Sequence, residues 1–380
     1  MATFLDNLSA LYSNILNFTW QQGVMWIIGG LLIYLAIKKK MEPALLLPMG
    51  FGAILVNLPL SGAITQGLEE GPLSVLFDAG IANELFPLLL FVGIGAMIDF
   101  GPLLSNPKLM IFGAAAQFGI FMTLSLSVLL GFEVKDAASI AIIGAADGPT
   151  SIFVANFFNS NYIGPIVVAA YSYMALVPII QPRCIKLFTT KKERLIRMTY
   201  NPSSVSKTTR ILFPIIVTII VGLVAPKAVA LIGFLMFGNL VRECGVLDNL
   251  SETAQSALAN IITLFLGITV AVKMQADMFI SLKTFMILGL GLIAFIFDTI
   301  GGVLFAKFLN LFLKKKINPM IGAAGISAFP MSARVVNKMG LEEDNQNFLL
   351  MHAIGVNVSG QVASVIAGGL ILNFLAKFAG

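Results

Sequence analysis

The sequence predicts an all-α polytopic membrane protein built from two inverted-topology repeats whose broken or re-entrant helices meet at mid-membrane. Three observations predict it. Of 380 residues, 58% are hydrophobic and 11% charged, whereas an ordinary soluble domain is about 25% charged. The basic residues are gathered in a few loops between apolar runs. A weak internal repeat relates the two halves at an offset of 181 residues. Thirty-five glycines, many inside apolar runs, suit closely packed or interrupted helices, and no alternating barrel-strand pattern appears.

Taken in chain order, residues 3 to 16 place Phe4, Leu8, Leu11 and Ile15 on one stripe, with no basic start and no long apolar core. That pattern predicts an N-terminal interfacial helix within residues 1–22, not a signal peptide. A first membrane repeat, 23–182, holds apolar segments near 23–37, 44–57, 85–98, 109–131, 137–158 and 163–180. A basic cytoplasmic linker, 183–210, follows, and then a second, inverted repeat, 211–380, with segments near 211–224, 228–240, 257–272, 284–312, 320–336 and 347–375. Several of these are shorter than the roughly 20 residues a spanning helix needs.

Charge sets the orientation. The region Arg183 to Arg210 carries eight Lys/Arg against Glu193 alone, and Lys38–Lys40 and Lys314–Lys316 are tight basic runs. By the positive-inside rule all three are cytoplasmic. The chain must then cross an even number of times between Lys40 and Arg183, yet five apolar segments lie there. Segment 137–158 is the expected re-entrant hairpin, because Asp147, Gly148 and Pro149 break it at its middle. The same count in the second half makes 320–336 re-entrant, with Pro319 and Pro330 as its breakers.

The offset of 181 lays "GAADGPTSIFVAN" (144–156) on "GISAFPMSARVVN" (325–337), matching Gly144, Pro149, Ser151, Val154 and Asn156 to Gly325, Pro330, Ser332, Val335 and Asn337. Given the charge topology, the two copies run in opposite senses. Inverted repeats with interrupted helices at the midplane are the architecture of many ion-coupled transporters.

The net charge of +5 does not indicate nucleic acid, since the basic residues read as topology signals. Cys184 and Cys244 sit in no metal or redox spacing.

An Asp at mid-bilayer costs about 2.5 to 3.5 kcal/mol, so Asp147 is expected to face a cavity or a partner. One reading makes it only the N-cap of the half-helix that Gly148 and Pro149 begin. The sharper reading is a cation site, in which a carboxylate and the free carbonyls of a broken helix replace water around Na⁺. The opposing copy offers Asn318 and Ser327 as neutral oxygens, Gly322 and Gly325 as points of close approach, and Arg334 as a cation. Arg334 is either a snorkelling positive-inside residue or a fixed guanidinium for a carboxylate. Asn357, Gln361 and Ser364 form a stripe at i, i+4, i+7, with Asn357 the better candidate ligand and Ser359 and Ser364 better suited to helix packing. Tyr171 and Tyr173 add phenols, and His352 reads as structural. Asp99 adjoins a turn, and Asp298 is ambiguous.

"GAADGPTSIF", "NPMIGAAGISAFPMSAR" and "GNLVRECGVLDNL" resemble the membrane β subunit of the biotin-dependent, sodium-pumping decarboxylases, a group with oxaloacetate, methylmalonyl-CoA, glutaconyl-CoA and malonate members. The resemblance covers nearly the whole chain. It implies a translocase of the bacterial cytoplasmic membrane that decarboxylates carboxybiotin delivered by a separate carrier, consumes an outside proton and exports Na⁺. It implies a carboxyltransferase α subunit, a biotin carrier subunit, a small single-helix γ subunit and a homotrimer in which one helical layer moves against a fixed scaffold. By motif it makes Asp147 the principal Na⁺ ligand and proton site, with Asn318, Gly322 and Ser327 on the same path and Asn357 a further ligand. Tyr171, Tyr173 and Arg334 would act beside the site, Arg334 toward carboxybiotin. No biotin is expected on this chain, because Lys273 in "AVKM" ends an apolar helix instead of sitting on an exposed hairpin. Overall similarity leans toward an acyl-CoA as the acid. Residue physics alone equally permits a stand-alone Na⁺-coupled secondary transporter, either a Na⁺/H⁺ exchanger or a carboxylate symporter. A passive membrane scaffold for a soluble enzyme is the weaker third reading.

Overall fold

The computed structural model describes residues 17–67, 69–200 and 205–375, and among these the regular structure is helical throughout. Among the described residues, seven helices are long and apolar enough to cross a membrane, or eight if a pair bent by 59° is one span. The interfacial helix expected within residues 1–22 falls mostly outside the described residues, and residues 20–22 open the first spanning helix. The chain divides into two compact units, one of residues up to Phe86 with 260–285, the other of 87–259 with 286 onward. Each unit therefore draws on both halves of the sequence.

In the first unit, α1 (Trp20–Lys39) starts at a capping box in which Thr19 and Gln22 satisfy each other's backbone amides, and it ends on Lys38 and Lys39. Its neighbour α2 (Pro43–Val56) begins with proline at the position that needs no amide. A Cβ on either Gly29 or Gly50 would come within 2.6 Å of the other's carbonyl oxygen, so these two glycines let the helix backbones touch. At the end of α2, Asn57 donates to Met274 O at 2.8 Å and accepts from Ala276 N at 2.8 Å, tying the 271–276 break to this unit. Sequence reading missed α3 (Pro72–Phe77), which a π turn prolongs to Ala82. Asp78 and Gly80 make this stretch look like a loop, but Leu73, Phe77 and Ile81 are buried at i, i+4, i+8.

The second unit contains α4 (Leu85–Met97, from Pro87 on) and the apolar run that sequence reading took as one segment. That run is interrupted at Gln117 into α5 (Met110–Ala116) and α6 (Phe118–Leu129). The broken segment follows as α7 (Val134–Ala141), a 3₁₀ turn to Ala145, and α8 (Gly148–Phe157). A straight helix would hold Asp136 and Ser160 about 36 Å apart. Instead Ser160 Oγ donates to Asp136 Oδ1 at 2.6 Å, so the segment is a hairpin with Asp147 at its tip.

From the open end of this hairpin, α9 (Ile163–Phe188) runs its 26 residues to the basic loop. Beyond it lie α10 (Lys207–Val224), α11 (Val229–Glu243) and α12 (Leu282–Phe312, from Met286 on in this unit). The second hairpin comprises a 3₁₀ limb, Pro319–Gly325, and α13 (Met331–Glu343), after which α14 (Leu350–Leu375) completes the described chain. Asn318 and Asn347, at the two ends of that hairpin, both donate to Arg194 O, at 2.8 and 2.9 Å. Its base is thus held at the Phe188 end of α9, opposite the base of the first hairpin. Gln181 of α9 reaches both limbs, donating to Ala323 O at 2.8 Å and Ser332 Oγ at 2.7 Å.

Arg194 also pairs with Glu343 at 2.6 Å, with side chains only 13% and 14% exposed. Removing one partner of such a pair strands the other, which costs about 3 kcal/mol. Arg194→Ala is therefore expected to lower the unfolding temperature of the purified chain clearly, and an unchanged melting curve would show the clamp to be dispensable. The neighbouring Arg197 hydrogen bond holds the Asp344 carboxyl below its ordinary range. This lowered pKa means that the contact's contribution exists above the ordinary carboxylate pKa and fades as pH falls below about 4. Melting of Asp344→Asn should lose that acid-side dependence.

Candidate functional site

Asp147 caps α8: its Oδ1 accepts from Thr150 N at 3.3 Å, and Thr150 Oγ1 donates to Oδ2 at 2.8 Å. The residue before it, Ala146, sits at φ 52°, a left-handed conformation that costs an L-residue about 1–2 kcal/mol. This strain turns the chain sharply between the limbs and aims the carboxylate at α14. There Gln361 Nε2 and Ser364 Oγ donate to Oδ2 at 3.2 and 3.1 Å. The capping reading therefore holds, and the same carboxylate also accepts from α14. It is 3% exposed, and among the described residues no Lys, Arg or His pairs with it.

The tips of the two hairpins touch. Ser327 N donates to Ala145 O at 3.0 Å, and Ser327 Oγ donates to Gly360 O at 3.2 Å. Asn357 Nδ2 donates to Ile326 O at 2.7 Å, while its Oδ1 is buried without a partner among the described residues. The stripe on α14 therefore serves both tips, with Asn357 on the second hairpin and Gln361 and Ser364 one to two turns on at Asp147. The Tyr171 ring lies against Gly148, where a Cβ could not fit. Carboxylate, carbonyl, hydroxyl and carboxamide oxygens converge here with no soft ligand, which is the donor set of a hard cation. Among the described residues no cluster of three His, Cys, Asp or Glu suggests a transition metal.

Other expected site residues lie elsewhere. The Asn318 carboxamide sits at the base of its hairpin, donating to Arg194 O and Ile196 O and accepting from Met320 N. Gly322 meets Gly302 of α12 backbone to backbone. Tyr173 OH donates to Leu288 O, and its ring lies on Gly291. Arg334 is exposed on the first turn of α13. Asp99 is partly exposed, capping Gly101 N at 2.8 Å and meeting Arg210 at 3.2 Å. Sequence reasoning set Ser364 aside as packing and gave Thr150 no role. The i, i+4, i+7 stripe was the available signal, while the partner it faces was not.

The family described as "Na+-transporting oxaloacetate decarboxylase beta subunit" matches residues 21–375. The methylmalonyl-CoA decarboxylase subunit beta of Veillonella parvula is 49% identical over 96% of this chain and 96% of its own length. The glutaconyl-CoA decarboxylase subunit beta of Acidaminococcus fermentans is 49% identical over 95% of each chain. The oxaloacetate decarboxylase beta chain of Klebsiella pneumoniae is 44% identical over 93% of this chain and 95% of its own.

Proposed function

The chain belongs to the family of β subunits of the Na⁺-transporting oxaloacetate decarboxylases, and from that premise we propose a decarboxylation-driven pump in which Asp147 carries the transported cation. The chain is an integral subunit of the cytoplasmic membrane within a multisubunit, Na⁺-transporting decarboxylase. The observation that supports the assignment of the site is the burial of Asp147 without a cationic partner among the described residues, where two hairpin tips and a polar stripe bring polar groups together.

A cation beside a carboxylate favours its ionised form, so a proton and Na⁺ compete for Asp147. Exchange of the two couples ion release to the loss of CO₂. Carboxybiotin, brought by a separate biotin carrier after a carboxyltransferase α subunit has loaded it, supplies the N–CO₂⁻ bond whose cleavage drives transport. CO₂ leaves, and a proton from outside ends on the ureido nitrogen. Arg334, exposed and in no ion pair among the described residues, suits the incoming anion. Ser327 and Asn357 serve as Na⁺ ligands beside Asp147, with Asn318 and Gly322 shaping the second hairpin and Tyr171 and Tyr173 closing the flank. The acid is an acyl-CoA, as the 49% identities against 44% favour. A single-helix γ subunit and a trimer complete the assembly.

The two repeats are inverted copies. In support, Asn57 donates to Met274 O at the end of α2, and Asn239 of α11 donates to Ile98 O at 3.0 Å just past α4, so each half of the sequence offers a buried amide to the other. One layer then moves relative to the other to expose Asp147 alternately to each side, driven by the difference in affinity between the two states.

Reconstituted with its partner subunits and a carrier, the chain should move ²²Na⁺ only when carboxybiotin is supplied, and avidin should stop it. Transport by the chain alone under an imposed gradient would instead identify a secondary transporter. Ser364→Ala removes one hydrogen bond to a charged group, worth about 1.5 kcal/mol. It should therefore shift the Na⁺ concentration for half-maximal turnover by about tenfold, and an unshifted Na⁺ titration would remove α14 from the site.

A further inference from the structure

A second buried carboxylate stands at the other side of the same hairpin tip and has no part in the scheme above. Asp298, in the middle of α12, is 1% exposed. At the one-residue interruption at Gln117, Ile120 N still bonds Gln117 O at 3.1 Å, while Gly119 N turns to α12. Asp298 Oδ1 takes Gly119 N at 2.5 Å, with the Ile120 amide adding to the carboxylate. Oδ2 has no hydrogen-bond partner among the described residues, and it lies where a Cβ on Gly144 would approach within 2.7 Å. No Lys, Arg or His among the described residues pairs with this carboxylate.

Two further observations bear on what Oδ2 awaits. On the same stripe of α6, one and two turns beyond Gly119, the hydroxyls of Thr123 and Ser127 are fully buried and also without partners among the described residues. Ser127 lies at the open end of the first hairpin, where its carbonyl accepts from Phe132 N and the Phe132 ring meets Tyr162 edge-on. A line of orphan oxygens thus leads from that end toward the tip. In addition, the offset of 181 that superposes the hairpins also lays Gln117 on Asp298 and Gly144 on Gly325. Gln117 Nε2 reaches Gly325 O at 3.5 Å, so the two positions are equivalent, and only one of them is acidic. A neutral amide suffices for the packing. The carboxylate at its counterpart therefore calls for a cation, since a buried charge without a partner is costly.

We propose that Asp298 Oδ2 is a second station for a hard monovalent cation, reached along Thr123 and Ser127 and separated from Asp147 by the tip of the first hairpin. The proposal rests on the reading of the chain as a Na⁺/H⁺-coupled pump. Na⁺ and a proton share the required chemistry, and the two arms of the test separate them.

The full-length chain, purified in lipid nanodiscs, is compared as wild type, Asp147→Asn, Asp298→Asn and the double variant. Equilibrium ²²Na⁺ binding reads the first occupant. The infrared band of a protonated carboxyl group that shifts in D₂O and responds to added Na⁺ reads the second. Asn at position 298 keeps an oxygen for the Gly119 amide, and Thr123→Val keeps the shape while removing one hydroxyl. The expected result is that Asp147→Asn retains a Na⁺ equivalent or a Na⁺-responsive carboxyl band, which the double variant loses. Thr123→Val should weaken that remaining signal several-fold. If Asp298→Asn matches the wild type in both arms while Asp147→Asn loses every signal, the station is overturned and the pump reading stands. If the wild type shows neither Na⁺ binding nor a responsive carboxyl band, the pump reading falls and the station with it.

Discussion

Asp147→Asn is expected to abolish Na⁺ transport and turnover in the assembled complex, by at least a thousandfold or about 4 kcal/mol, with little change in melting temperature. The asymmetry follows from the geometry. Asn caps a helix about as well as Asp, so α8 keeps its start and Thr150 N keeps an acceptor. Ser364 and Thr150 can still donate to the amide oxygen by rotating their hydroxyls. What disappears is the negative charge, and with it the ability to hold Na⁺ or a proton in turn. Reconstituted ²²Na⁺ uptake and CO₂ release, measured beside thermal unfolding, test both halves of the statement. A variant that pumps at the wild-type rate sinks the central role of Asp147, and one that fails to fold makes the residue a structural cap.

Gly360→Ala is expected to be nearly as damaging, through packing and not through charge. An added Cβ would enter the carbonyl of Gly325 and come within 3.0 Å of Ile326 O, where backbone meets backbone and no side chain can step aside. Overpacking of this kind costs about 1–3 kcal/mol or more. It would also push the second tip off α14, where Ser327 Oγ binds Gly360 O and Asn357 holds Ile326 O. Both the melting temperature and the Na⁺ affinity should fall together. Normal affinity in a stable Gly360→Ala chain would mean that contact between this tip and α14 does not shape the site.

Much of this molecule was legible from residue order. Apolar runs and basic loops marked the spans, because lipid demands long hydrogen-bonded apolar helices and leaves charges at their ends. Asp147-Gly148-Pro149 marked the first hairpin, because few other triplets both break a helix and begin one. The run near 109–131 reads as one segment and stands as one span, Pro107–Leu129; what was not legible is that Gly119 N within it meets a carboxylate on α12, far away in sequence. Nor was α3, whose buried stripe is interrupted by Asp78 and Gly80.

The amino-acid sequence by itself determined that the chain lives in a membrane, that its first hairpin turns at Asp147-Gly148-Pro149 and which carboxylate is expensive enough to matter. These are properties of local composition and of transfer to lipid, and they need no partner to be read. Only the tertiary structure decided which groups meet that carboxylate: the Gln361 amide nitrogen and the Ser364 hydroxyl donate to it, while Asn318 donates to the loop at Arg194 and Ile196. A hydrogen bond acts over about 3 Å, and helices separated by two hundred residues come within that range only through packing of the whole unit.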